Sequence, residues 1–172
     1  PKNYPTKSDL MALFVDSICV NLVLMHEDLC ELWGKQLPLA SEKGYPKMFD
    51  EMVYWVLMIN GQAVAYTGSL TIKENNKNKF VLVGNTYVRK EWRTHGLHSY
   101  LLNARNNSKH LKDIPKVTVL NPIEDSTLPH LAKVVERLGY KKVNWFPDVR
   151  NIMGEKTFKH IRNGSKEIWK LG

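Results

Sequence analysis

Arg93, Thr94, His95 and Gly96 form a basic turn between a β-like run at 80–88 (FVLVGNTYV) and a helical pattern with Leu97, Leu101 and Ala104 on one face. That placement makes an anion site. The first backbone N–H groups of a helix have no internal partners, and the helix dipole adds partial positive charge there. Gly96 would let the backbone approach a phosphate without a Cβ in the way. Arg89, Lys90 and Arg93 add formal charge at the same place. The stretch 86–104 (TYVRKEWRTHGLHSYLLNA) therefore reads as a phosphate cradle at a strand-to-helix junction. The competing reading is an ordinary basic loop capping a helix. His95 and His98 lie three residues apart but have no third ligand nearby, so no metal site is expected.

The flanking segments supply the frame. Ser8 is a candidate N-cap, with Asp9 favourable at the helix start; Met11, Phe14, Val15, Ile18, Cys19 and Leu22 then recur at helical spacing. A second helix is expected at 26–37, with Leu29, Leu32 and Trp33 apolar and Pro38 ending it. The stretch 40–50 reads as a loop with at most a short helical turn. A strand at 55–59 (WVLMI) runs into Asn60-Gly61, a strong hairpin signal, and returns at 62–72. A polar connection, 74–79, then leads to the strand starting at Phe80. Past the cradle helix the pattern gives a strand at 116–120 (KVTVL). A helix at 128–138 follows, with Leu131, Val134, Val135 and Leu138 on one face and Gly139 ending it. Strand candidates at 140–147 and 151–161 close the order, and the Lys-rich tail after Ile161 reads as exposed.

Composition narrows the class. A chain of 172 residues without low-complexity segments or repeats is expected to be a single domain spanning 1–172. Lys and Arg number 25 against 17 Asp and Glu, a net charge of +8 that favours acidic partners such as phosphates, nucleic acid or an acidic protein surface. Two cysteines, Cys19 and Cys30, make no disulfide framework and read as reduced, buried thiols in a cytoplasmic protein. No apolar run is long enough to span a membrane. The five tryptophans, Trp33, Trp55, Trp92, Trp145 and Trp169, read as core or interface.

The run R-T-H-G-L-H at 93–98 resembles the acyl-CoA sequence R/Q-x-x-G-x-G/A of the GCN5-related N-acetyltransferase superfamily. Val88 and Glu91-Trp92-Arg93 resemble that family's V-x-P-E-Y-R, and Val135 to Tyr140 (VERLGY) is similar to its L-x-x-G-F/Y helix end. The likeness covers roughly residues 55–145. Two positions depart from it: Lys90 replaces the usual proline, and His98 replaces a second small residue that lets the helix approach the pyrophosphate. The resemblance implies an α+β fold with a central mixed, mostly antiparallel sheet flanked by helices, whose fourth and fifth strands part at the acyl-CoA site. It also implies an N-acetyltransferase with acetyl-CoA as co-substrate, whose thioester a primary amine attacks directly. The pantetheine arm would lie along Thr86, Tyr87 and Val88, and the pyrophosphate would receive the N–H groups of Thr94, His95, Gly96, Leu97, His98 and Ser99, with Arg93 adding charge. Asn121 could bond the arm.

Catalytic groups are harder to place. The family's tyrosine that protonates the thiolate falls on Val135, and its frequent carboxylate falls on Thr118. Tyr87 and His130 are the catalytic candidates; Glu124 and Asp125 read better as helix caps, and Asp148 is a further carboxylate. The acceptor expected is a small-molecule or peptide amine, with carboxylates or phosphates favoured by the charge. The chain is expected to be a monomer or homodimer without membrane partners. A non-catalytic acyl-CoA-binding protein and a basic nucleic-acid-binding domain remain the alternatives, the latter disfavoured by the lack of aromatic–basic interleaving on one strand.

Overall fold

A computed structural model describes residues 23–93, 96–121 and 131–172. These divide into two compact units. Among the described residues the strands β1 (Val23–Leu24), β2 (Val53–Ile59), β3 (Gln62–Glu74), β4 (Lys77–Val88), β5 (Lys116–Leu120), β6 (Lys141–Val143) and β7 (Glu167–Leu171) follow the order β1-β2-β3-β4-β5-β7-β6. The amino-terminal expectations at 1–22, Ser8 and Cys19 included, lie outside the described residues.

The first unit contains β1 (Val23–Leu24), α1 (His26–Trp33), β2 (Val53–Ile59), the first part of β3 (Gln62–Glu74), the last part of β4 (Lys77–Val88) and α2 (Leu97–Asn106). The two-residue β1, which the sequence pattern did not reveal, pairs antiparallel with β2, Val23 opposite Trp55 and Leu24 opposite Tyr54. Leu29, Cys30 and Trp33 bury one stripe of α1. The helix stops at Gly34, not at Pro38 as expected, because Gly34 takes φ +90 and its N–H closes on Cys30 O. Leu32 lies off the buried stripe and faces solvent. Asn60 and Gly61, at φ +51 and +77, make the tight turn expected between β2 and β3. A second pair of left-handed residues, Asn75 and Asn76 at φ +53 and +63, joins β3 to β4. The polar connection thus shrinks to a turn, and β4 starts at Lys77.

The second unit holds the other ends of β3 and β4 with β5 (Lys116–Leu120), α3 (Leu131–Arg137), β6 (Lys141–Val143), α4 (Phe146–Met153), α5 (Glu155–Arg162) and β7 (Glu167–Leu171). β4 and β5 are parallel, with Val81 opposite Lys116 and Leu82 opposite Val117. β7 lies between β5 and β6, antiparallel to both, with Thr118 opposite Trp169 and Val143 opposite Ile168. Two expectations fail here. The stretch at 146–162 is helical: Phe146, Val149 and Met153, then Phe158 and Ile161, recur at helical spacing, and Gly154 at φ +86 separates the two helices. The Lys-rich tail is not an exposed end either, since Ile168 is only 1% exposed in an interior strand. Its charges occupy the half-buried positions around Ile168, where Glu167 pairs with Lys142 at 2.6 Å.

Candidate functional site

The first unit carries the end of β4, the basic turn and the start of α2. Within β4, Asn85 takes the left-handed conformation at φ +53, which kinks the strand as a bulge does. Its amide donates to the Tyr54 hydroxyl at 2.8 Å, fixing the kink one residue before Thr86. Tyr87 then falls into an aromatic cluster, edge-on to Trp33 at 5.8 Å and stacked on Tyr66 at 6.1 Å. Tyr54 completes the cluster against Tyr66 at 5.8 Å. Burial, helped by Tyr54, Tyr87 and Cys30, pushes the Tyr66 hydroxyl up to about 12, so it is a neutral donor at ordinary pH. Tyr87 thus forms part of a packed wall, and the Arg93 guanidinium covers its ring at 5.2 Å.

The cations of the turn have different roles. Arg89 lies on the Trp33 ring at 3.9 Å, donates through Nε to Ala63 O at 2.7 Å and through a terminal nitrogen to Trp33 O at 3.0 Å. It is a staple between α1 and β3 and not a free cradle charge. Arg93 donates through Nε to Val88 O at 2.9 Å, which holds its charge beside the strand end. A single 3₁₀ turn, Lys90–Trp92, separates the two and leaves Lys90 exposed. Thr94 and His95 lie outside the described residues.

Gly96 caps α2 at φ +75, and nothing lies within 4 Å of where a Cβ would stand. The glycine is therefore required by its backbone conformation, not by crowding in the protein itself. Its carbonyl accepts from Tyr100 N at 3.1 Å, opening the helix without a side-chain cap or any acid in the first turn. The N–H groups of that turn have no intrahelical acceptor, so an anion suits them. Leu97 turns its side chain into the core, leaving only its backbone for a ligand. Ser99 is half-buried. His98 is buried at Nε2, which meets no hydrogen-bond partner among the described residues. Burial, and secondarily the Arg105 charge, pushes its imidazole down to about 4, so the ring is neutral at pH 7.

Behind the strand end runs a polar chain that the sequence reading missed. Arg105, 2% exposed, donates to Thr67 Oγ1 at 2.6 Å and twice to its neighbour Asn106 Oδ1. Thr67 in turn meets Thr86 Oγ1 at 2.7 Å. The signal was available, because Leu97, Leu101 and Arg105 share the buried stripe of α2, and an arginine in an apolar stripe needs partners.

In the second unit, Asn121 is half-buried just after β5. Thr118 lies in β5 opposite Trp169, and Val135 is 3% exposed in α3. Asp148 is bound to Lys79 at 3.1 Å, a structural ion pair. His130, Glu124 and Asp125 lie outside the described residues. No group of three or more His, Cys, Asp or Glu among the described residues is placed to hold a metal ion. No helix among them is long and apolar enough to cross a membrane.

No family model matches the sequence, and no curated protein does. Solved structures do. The GNAT domain of PAT from S. lividans superposes with a TM-score of 0.52 at 14% identity, over 86% of this chain and 78% of that one. The chain has the GCN5-related N-acetyltransferase fold. N-acetylglutamate synthase from Neisseria gonorrhoeae, solved with coenzyme A and N-acetyl-glutamate, shares the GNAT architecture with a TM-score of 0.50 at 13% identity, over 90% of this chain and 34% of that one. A third similar structure is a ribosomal-protein-alanine N-acetyltransferase from Brucella melitensis, with a TM-score of 0.49 at 14% identity over 98% of this chain and 97% of that one. A further match covers 52% of this chain and only 32% of the longer protein. Identities this low carry the GNAT architecture and nothing finer.

Proposed function

We propose that the chain is an N-acetyltransferase that takes acetyl-CoA as co-substrate and transfers its acetyl group to a primary amine by direct attack. One observation carries this reading: within this fold, the uncapped, acid-free start of α2 at left-handed Gly96 follows directly on the Arg93-flanked end of β4. The pyrophosphate would take the N–H groups of the Gly96–Ser99 turn together with Thr94, His95 and the Arg93 charge. The arm would hydrogen-bond backbone groups at Thr86, Tyr87 and Val88 as an added strand does. The amine nitrogen attacks the thioester carbonyl, the C–S bond breaks, coenzyme A leaves as thiolate, and the proton lost by the amine goes to water. Positioning supplies most of the acceleration in such a transfer. His98 contributes no charge to the pyrophosphate, being neutral.

The acceptor proposed is a small-molecule or peptide amine carrying carboxylates or phosphates, in keeping with the net charge of +8. Acceptor turnover that is independent of ionic strength and of acceptor charge would refute that part. The second reading, an acyl-CoA-binding protein without transferase activity, is favoured by the buried, apolar Val135 at the family's tyrosine position.

Thermal unfolding with acetyl-CoA tests the cofactor site. At about 100 times Kd, binding adds roughly 2.7 kcal/mol, a rise on the order of 5–10 °C for a chain of this size. The shift should vanish in Arg93→Glu. No shift at millimolar acetyl-CoA would remove the reading. Binding without thiol release across a panel of anionic amines would favour the non-catalytic alternative.

A further inference from the structure

We propose that the Thr86 hydroxyl is the hydrogen-bond donor to the departing sulfur of the acyl thioester, aimed by the buried Arg105 acting through Thr67. The inference rests on the acyltransferase reading, in which the apolar Val135 can give the leaving group no hydrogen bond.

Direction in this chain follows from what each group can do. A guanidinium only donates, so Thr67 Oγ1 accepts from Arg105 at 2.6 Å. Thr67 is fully buried, and a buried hydroxyl must place its own proton. The acceptor in reach is Thr86 Oγ1 at 2.7 Å. Of the two directions open to this hydroxyl pair, the one that satisfies the Thr67 proton has Thr86 Oγ1 accepting from Thr67 and turning its own O–H outward. It is the half-buried member of the chain, whereas Thr67 and Arg105 are closed off. Hydrogen bonds that begin on a permanent cation polarise one another, so the last O–H is a stronger donor than an isolated threonine. Thr86 also stands at the strand end that the cofactor arm would follow, one residue past the kink that Tyr54 fixes through Asn85.

In the transfer, the C–S electron pair moves onto sulfur as the carbon–nitrogen bond forms. The Thr86 O–H keeps its proton and shares it with the thiolate, so the step needs no acid beyond the hydrogen bond. Arg105 and Thr67 are positioning residues; Thr86 is the one that touches the reacting atom.

The test needs no knowledge of the acceptor. Coenzyme A and desulfo-coenzyme A, which lacks the sulfur, are bound to the wild type and to Thr86→Val, Thr86→Ser and Thr67→Val, and the ionisation of the bound thiol is followed by thiolate absorbance against pH. A hydrogen bond to an anion predicts that Thr86→Val ionises roughly one to two pH units higher than wild type, tenfold to a hundredfold less thiolate at a fixed pH. Thr86→Ser should restore the wild-type profile, Thr67→Val should fall between, and desulfo-coenzyme A should bind all four alike. Coenzyme A that binds with the same thiol ionisation in wild type and Thr86→Val overturns the proposal while leaving the acyltransferase reading intact. Failure of both ligands to bind wild type removes that reading and the proposal with it. Thr86→Val is nearly isosteric, so an intact thermal transition in that variant separates loss of the donor from loss of the fold.

Discussion

Replacing His98 by alanine should change how stability depends on pH, by an amount set by the burial of its ring. In the folded chain the imidazole is held down to about 4 by desolvation first and by Arg105 second. In the unfolded chain it ionises near 6.5, so between about pH 6.5 and about 4 the unfolded state binds a proton that the folded state refuses. A depressed pKa of this kind leaves stability intact above the unfolded value and removes it as pH falls. At about 1.4 kcal/mol per pH unit, the loss reaches about 3 kcal/mol by pH 4. His98→Ala lacks the group and loses none of this. Urea unfolding followed by tryptophan fluorescence at several pH values gives both stabilities. The advantage of wild type over the variant should narrow by about 3 kcal/mol between pH 7 and pH 4, whatever its size at pH 7. An advantage that stays constant over that range would mean that the ring is solvated or finds an acceptor, and the electrostatic account of the helix start would be wrong.

Three further outcomes follow from particular contacts. Asn85→Ala should cost roughly 1–3 kcal/mol in chemical denaturation, because the left-handed kink and the bond to Tyr54 go together; an unchanged midpoint would show that the kink needs neither. Arg89→Gln removes the charge together with the ring contact and the two-carbonyl geometry, so it should lower stability by about 1–2 kcal/mol without altering the salt dependence of acetyl-CoA binding. A weaker salt dependence would place Arg89 at the phosphates after all. Ile168→Ala should cost about 2–5 kcal/mol, as expected of an interior strand; a near-neutral result by calorimetry would return β7 to the status of an exposed tail.

What could be read from the sequence was local and repetitive. Asn60-Gly61 announced its hairpin because both residues accept positive φ, and the strand at 116–120 is a short run rich in β-branched residues. The strand-to-helix junction at Gly96 was legible for the same reason, since a glycine after a basic turn and before an apolar stripe has few other uses. The stretch 146–162 was not. Its apolar residues are few and Gly154 breaks their three- and four-residue spacing into two short runs, and packing decides, with Phe80 against Trp145 at 4.5 Å and Phe146 against Phe158 at 5.9 Å. β7 was hidden because Lys166 and Lys170 read as solvated charge, although Ile168 between them is core. In the chain from Arg105 to Thr86 only the arginine within an apolar stripe was legible; its partners come from other elements far apart in sequence and are joined only by folding.

The position of β7 also bears on the order in which the protein is made. A ribosome delivers β5 and β6 well before Glu167–Leu171, yet those two strands touch β7 on either side and do not pair with each other. Until the last strand emerges, β5 offers an unmet edge of N–H and C=O groups, and β6, three residues long, has nothing to pair with. Synthesis at about 5–20 residues per second makes that interval seconds long. The nascent chain then carries an open edge on Lys116–Leu120 and a separate unpaired strand that begins with Lys141 and Lys142, and positive charge on a waiting strand deters pairing with strangers. The late strand therefore acts as a clasp, and Lys141 and Lys142 guard the waiting β6 until it closes.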